Sequence, residues 1–193
     1  MARLSQKEIE KIRKEVIKIY NKNNDPFHHY NHALKTAELA KKIAQKEGAD
    51  KNICYVAGLV HDLAPKKRSQ PHGENSRKIA NKLLNKIGLD KEVIYKIGEA
   101  IRYHDTRNSH KIKTLEGKII FDAGKLQCYG PVGIIREYGD LLIKGYPHEK
   151  AINKLLDYLK NFKPKFFTKT GQKIRKKLKK YNQEFIKLFK EYY

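Results

Sequence analysis

Four residues of this 193-residue chain have the types and order needed for chemistry at a metal ion. They are His32 in PFHHYNHALKTAELA, the adjacent His61 and Asp62 closing the apolar run CYVAGLVHDLAPKK, and Asp122 in LEGKIIFDAGKLQ. An aspartate directly after a histidine inside an apolar helix is costly, because an ionised carboxylate taken out of water must be paired or coordinated. Two imidazoles and two carboxylates form a mixed nitrogen and oxygen set. That set suits a borderline divalent ion such as Mn, Fe, Co, Ni or Zn. Mg is a further candidate, and the number of ions, one or two, stays open. Each histidine ligand must be neutral, with its second ring N–H oriented by an acceptor. An ion so held activates a water and polarises a phosphoryl oxygen. Taken alone, the His61–Asp62 pair reads equally well as a helix end facing solvent; the other two segments tip the reading towards a metal.

The elements that must position these groups are helices. Ile9, Ile12, Val16, Ile17 and Tyr20 recur at spacings of three and four, which predicts an amphipathic helix over 5–21. Asn31 is read as the cap of a helix from His32 to Lys46, with Leu34, Ala37, Ala40, Ile43 and Ala44 inward and Gly48 as its stop. Asp50 caps a helix over 51–63, apolar nearly all round and therefore central, which Pro65 ends. Helices over 74–87 and 91–103 follow, then a polar loop 104–110, a helix over about 114–127 carrying Asp122, another opened by Gly130-Pro131, and one over 148–160. The last helix, about 168–190, shows Ile174, Leu178, Tyr181, Phe185, Leu188 and Phe189 along one face. The expected fold is all-α: one helical domain over 1–193, with a core of about 25–145 onto which the first and last helices pack.

Composition narrows the function classes. No apolar run approaches the roughly 18–20 residues needed to span a bilayer, so no membrane role is expected. The charged, amphipathic first 20 residues lack the apolar segment of a signal peptide. Cys54 and Cys128, only two and far apart, imply no disulfide framework, and a reducing cytoplasm is the expected location. The formal charge of +22 comes mostly from lysine. Such a chain attracts polyanions, nucleic acid among them. A Lys-rich solvated surface of the kind seen across some proteomes explains the same number. Residues 163–193, with 11 basic and 2 acidic side chains, concentrate the charge.

With these motifs in place, the chain resembles the HD superfamily of metal-dependent phosphohydrolases, and within it the short members that are a single helical HD-domain bundle. The resemblance covers about residues 25–190. It maps the four superfamily ligands onto His32, His61, Asp62 and Asp122. It continues in His28, four residues before the first ligand, in Lys35, three after it, in LEGKIIFDAGKLQCYGPVGIIR at 115–136, and in the closing helix. By that resemblance Asp62 sits at the centre of the metal site and bridges the ions in two-metal members. His72 and His104 match positions that bind a second metal or line the substrate pocket, which makes His104 a catalytic candidate with Asp62. Lys35, Lys66 and Lys125 are candidate phosphate clamps, Lys125 also for stabilising phosphoryl charge, because a lysine ammonium is a compact point charge. Arg68 is a weaker candidate, and Arg136 reads as structural.

Departures from the family pattern bear on substrate choice. Its DAD triplet is Asp122-Ala123-Gly124 here, Gln127 replaces a usual acidic residue, and His29 stands where an aspartate is expected. The implied function is hydrolysis of a nucleotide or related phosphate ester or anhydride by metal-activated water. The alternative is a basic nucleic-acid-binding or nucleotide-sensing module without turnover.

Overall fold

Nine α-helices and one 3-10 turn carry the described chain, which in this computed structural model comprises residues 4–22, 29–65 and 72–193. No strand occurs among the described residues. The helices are α1 (Gln6–Lys22), α2 (Tyr30–Glu47), α3 (Lys51–Val60), α4 (Gly73–Ile87), α5 (Lys91–Ile101), α6 (Leu115–Leu126), α7 (Gly130–Ile143), α8 (His148–Asn161) and α9 (Lys169–Tyr192), with the 3-10 turn at Thr106–Lys111. No described helix is long and apolar enough to cross a membrane. The chain falls into two compact units, 1–123 and 124–193.

In the first unit α3 is the central helix. Asp50 opens it by accepting the backbone N–H groups of Asn52 and Ile53 at 2.8 and 3.0 Å, which satisfies two of the orphan donors of a helix start. Six of its next apolar side chains, Ile53, Cys54, Val56, Ala57, Leu59 and Val60, are buried. Burial also pushes the Cys54 thiol pKa up, so it behaves as a small core residue. Helix α1 packs its stripe of Ile9, Ile12, Val16 and Tyr20 onto the neighbours α2, α3 and α4. Helix α2 presents Ala33, Ala37 and Ala40, all fully buried, to α3. The closeness of that crossing is fixed at Gly58, where a Cβ would lie 2.5 Å from the Ala37 Cα. Only glycine fits there, and it brings α2 and α3 to backbone contact just before His61.

Several expected boundaries shift. Helix α2 begins at Tyr30, and its cap is His29, not Asn31: the His29 ring Nδ1 accepts the Asn31 N–H at 3.2 Å, and the His29 backbone is extended. Helix α3 ends at Val60, so His61 is its cap residue, still with helical backbone angles, and Asp62 stands in the turn after it. Helix α5 ends at Ile101, and part of the polar loop after it winds into the 3-10 turn.

In the second unit α7, α8 and α9 pack around Ile134, Leu141, Ala151, Leu155 and Leu159, with Tyr138, Tyr146, Tyr158, Phe185 and Ile186 against them. The inward face of α9 is rotated from the one expected: Tyr181 and Leu188 are exposed, and Asn182 and Ile186 take part in the packing. Asn182 is buried because its Oδ1 accepts the Gly130 N–H at 2.9 Å. A polar side chain on an apolar stripe thus ties the start of α7 to α9.

Candidate metal centre

The centre of the first unit is a carboxylate surrounded by four imidazoles. Asp62 is 4% exposed, and its two oxygens face different histidine pairs. Oδ2 lies 3.2 Å from His61 Nε2 and 3.6 Å from His32 Nε2. Oδ1 lies 2.7 Å from His72 Nε2 and 3.1 Å from His104 Nε2. The donor atoms of His32, His61 and Asp62 lie within 4.8 Å of one another, and so do those of Asp62, His72 and His104. Asp62 therefore belongs to two potential ligand triads at once, one oxygen to each.

Local structure aims the rings. His61 directs Nδ1 at the Gly58 carbonyl at 2.8 Å, and His104 directs Nδ1 at the Ile101 carbonyl at 2.7 Å. A carbonyl only accepts, so both Nδ1 atoms carry the proton and both Nε2 lone pairs point to Asp62. This is the tautomer a metal ligand needs, fixed by an outer acceptor. His72 achieves the same orientation through a carboxylate, its Nδ1 lying 2.6 Å from Asp105 Oδ1. The His72 and His104 Nε2 atoms are 2.9 Å apart, room for one proton or for an ion's ligand sphere but not for two protons. Nitrogen and oxygen donors, preset lone pairs and a shared carboxylate all fit a borderline divalent ion.

The electrostatics are uneven across the cluster. Burial pulls the His104 imidazole below its ordinary pKa despite the neighbouring Asp62, which favours the neutral ring. Burial also opposes charge on His72, but hydrogen bonds to Asp105 and Asp62 outweigh it and raise that ring to about 9 in the metal-free protein. Burial opposes the charge of Asp105, but the hydrogen bond and charge of His72 and the Gly73 N–H outweigh it, and its carboxyl is held well below the usual range. Tyr20, expected as a stripe residue of α1, has a phenol that burial and the charge of Asp62 push up.

The other sequence candidates fall as follows. Asp122 is fully buried on α6 within the first unit. Lys35 is exposed on α2, where its ammonium pairs with Glu38 at 3.0 Å. Lys125 follows Asp122 by three residues on α6, half-buried, at the start of the second unit. His28, Lys66 and Arg68 lie outside the described residues. Asp105 was not among the candidates. Its signal was present: His104-Asp105 repeats the His-Asp dipeptide of 61–62.

Residues 29–128, just over half of the chain, match the HD domain family. The chain belongs to that family. HD-domain proteins of this kind are metal-binding hydrolases as a class, and the donor set around Asp62 accords with that. The uncharacterized protein YpgQ of Bacillus subtilis (strain 168) is 26% identical over 168 residues, covering 83% of this chain and 82% of YpgQ. A crystal structure of YpgQ in complex with ADP superimposes with a TM-score of 0.71 at 24% identity, covering 96% of this chain and 94% of YpgQ. A predicted HD superfamily hydrolase from an uncultured Thermotogales bacterium gives a TM-score of 0.69 at 26% identity, over 94% of this chain and 91% of that one.

Proposed function

We propose that this HD-domain protein hydrolyses a phosphate ester or anhydride of the nucleotide class, with His32, His61, Asp62 and Asp122 as ligands of one divalent ion and Asp62, His72 and His104 as ligands of a second. The observation that carries the reading is the division of Asp62, whose two oxygens each face a different pair of Nε2 atoms. When bound, such an ion lowers the pKa of a water towards neutrality and withdraws charge from a phosphoryl oxygen. The protein's own groups hold that chemistry in place. Gly58 and Ile101 carbonyls keep His61 and His104 in one tautomer. Burial keeps His104 neutral, ready to offer its lone pair. Asp62, ionised among four rings, supplies the charge that a dication needs in a site otherwise shielded from water. The ADP in one YpgQ structure supports a nucleotide as the ligand class.

The test couples metal analysis of the purified protein to phosphate release from nucleoside mono-, di- and triphosphates, dinucleoside polyphosphates and cyclic dinucleotides. Release is expected to stop on chelation and return with Mn or Co. Asp62→Asn is expected to lose bound metal and roughly a hundred- to a thousandfold in turnover, as removal of a catalytic electrostatic group does. Turnover retained by metal-free Asp62→Asn overturns the proposal.

A further inference from the structure

Asp105 occupies a place that the ligand assignment does not use. Both of its oxygens are engaged: Oδ1 with His72 Nδ1 at 2.6 Å, and Oδ2 with the backbone N–H of Gly73 at 2.8 Å. Its side chain and that of His72 are each 12% exposed. His72 is the residue before α4 and makes no side-chain capping bond of its own, so the cap on that helix start comes from Asp105, 33 positions away in sequence. The approach is too tight for a side chain at 73, where a Cβ would sit 2.5 Å from the Arg102 carbonyl oxygen and 3.0 Å from Asp105 Oδ2. The backbone next to His72 and the ring of His72 are thus gripped by a single carboxylate.

We propose that Asp105 is the positioning residue of the second ligand triad, holding His72 so that its Nε2 meets Asp62 and His104 in the arrangement that takes a divalent ion. The inference rests on the proposed two-ion reading of the site. Its logic is geometric. Only a carboxylate on a short stem offers two acceptor oxygens to two donors that diverge from adjacent residues. With Nδ1–H donated to Asp105, the lone pair of His72 is left on Nε2, where the other donors converge. Because Asp105 directly follows His104, one dipeptide supplies one ligand and aims the other. In the first triad His61 is oriented differently, by the Gly58 carbonyl.

The proposal is tested by titrating metal-stripped protein with Zn2+ and with Mn2+, reading stoichiometry and affinity by calorimetry and elemental analysis. Wild type is expected to take two ions. Asp105→Ala and the isosteric Asp105→Asn, which has only one acceptor for the two donors, should keep the tighter ion and bind the other roughly 10–100-fold more weakly, the usual effect of losing an outer-shell partner. Nitrogen-15 spectra of the Zn2+-loaded protein give a second readout: the His72 ring, identified by its loss in His72→Gln, should carry its proton on Nδ1 in wild type and lose that preference in Asp105→Asn. The inference is overturned if either variant binds the second ion as wild type does, if both ions weaken equally, if wild type takes a single ion, or if both variants fail to fold by circular dichroism. Wild type that binds two ions, with the loss confined to one of them in the variants, but releases no phosphate from any substrate would sink the hydrolase reading and leave this one standing.

Discussion

The two sides of Asp62 are built differently. On the Oδ2 side, His32 stands in the first turn of α2 and His61 in the turn that closes α3, and the two helices meet at backbone contact where Gly58 faces Ala37. That packing helps to fix their separation, and the Gly58 carbonyl orients the His61 ring. On the Oδ1 side, His72 and His104 stand at an α4 start and just beyond an α5 end. There the positions depend on side-chain bonds, above all those of Asp105. Both sides are built at helix ends, but the first is braced by helices in backbone contact, whereas the second needs its own struts.

Substitution of the two contact glycines tests that contrast most strongly. Gly58→Ala forces a Cβ into the Ala37 backbone and should destabilise the protein by about 1–3 kcal/mol, as overpacking does, with metal affinity lost on both sides of Asp62. Gly73→Ala should cost less in melting temperature, because the helix end can shift, while weakening only the ion shared by His72 and His104. Equal melting temperatures and equal metal loss in the two variants would erase the distinction.

A smaller effect is expected from pH in the chelator-treated protein. The His72 ring is raised from 6.5 to about 9, so the stability it contributes is fully present below pH 6.5 and lost as pH rises through 9. Asp105 is shifted the other way, so its contribution holds above 3.8 and falls away below it. Stability should therefore decline as pH rises from 6.5 towards 9, by an amount on the order of 1–3 kcal/mol, while His104, whose pKa burial lowers, works the other way and takes stability away as pH falls below 6.5. Asp105→Asn should flatten the alkaline limb, and a profile unchanged by that substitution would contradict the assignment.

The smallest effect concerns Lys35. Its pairing with Glu38 is an exposed i,i+3 contact, and such pairs are worth no more than a few tenths of a kcal/mol. Lys35→Ala should leave the melting temperature unchanged. Its KM then decides whether the lysine clamps phosphate: a KM equal to that of wild type removes it from the substrate candidates.

Much of this was legible in the chain. Helical spacing placed nearly every element, since a 3.6-residue apolar period has one stable reading over these lengths, and Asp50 and Gly48 marked their helix ends through local bonding alone. His32, His61 and Asp62 stood out as ligand candidates because an Asp after a His in an apolar run has few comfortable fates. The rotated face of α9 was not legible: periodicity allows neighbouring stripes, and the Asn182 bond to Gly130 selects between them. His29 escaped notice as a cap because histidine is an unusual one, its ring nitrogen standing in for the usual side-chain oxygen.

The sequence by itself determined an all-helical HD-domain chain and the identity of its candidate metal ligands, since residue type and local period are properties of short segments. Tertiary structure alone decided that Asp62 divides its oxygens between two histidine pairs and that Asp105 grips His72 from 33 residues away. Those facts depend on where α3 and α5 end relative to where α4 begins, and that is set by long-range packing at glycines such as Gly58 and Gly73.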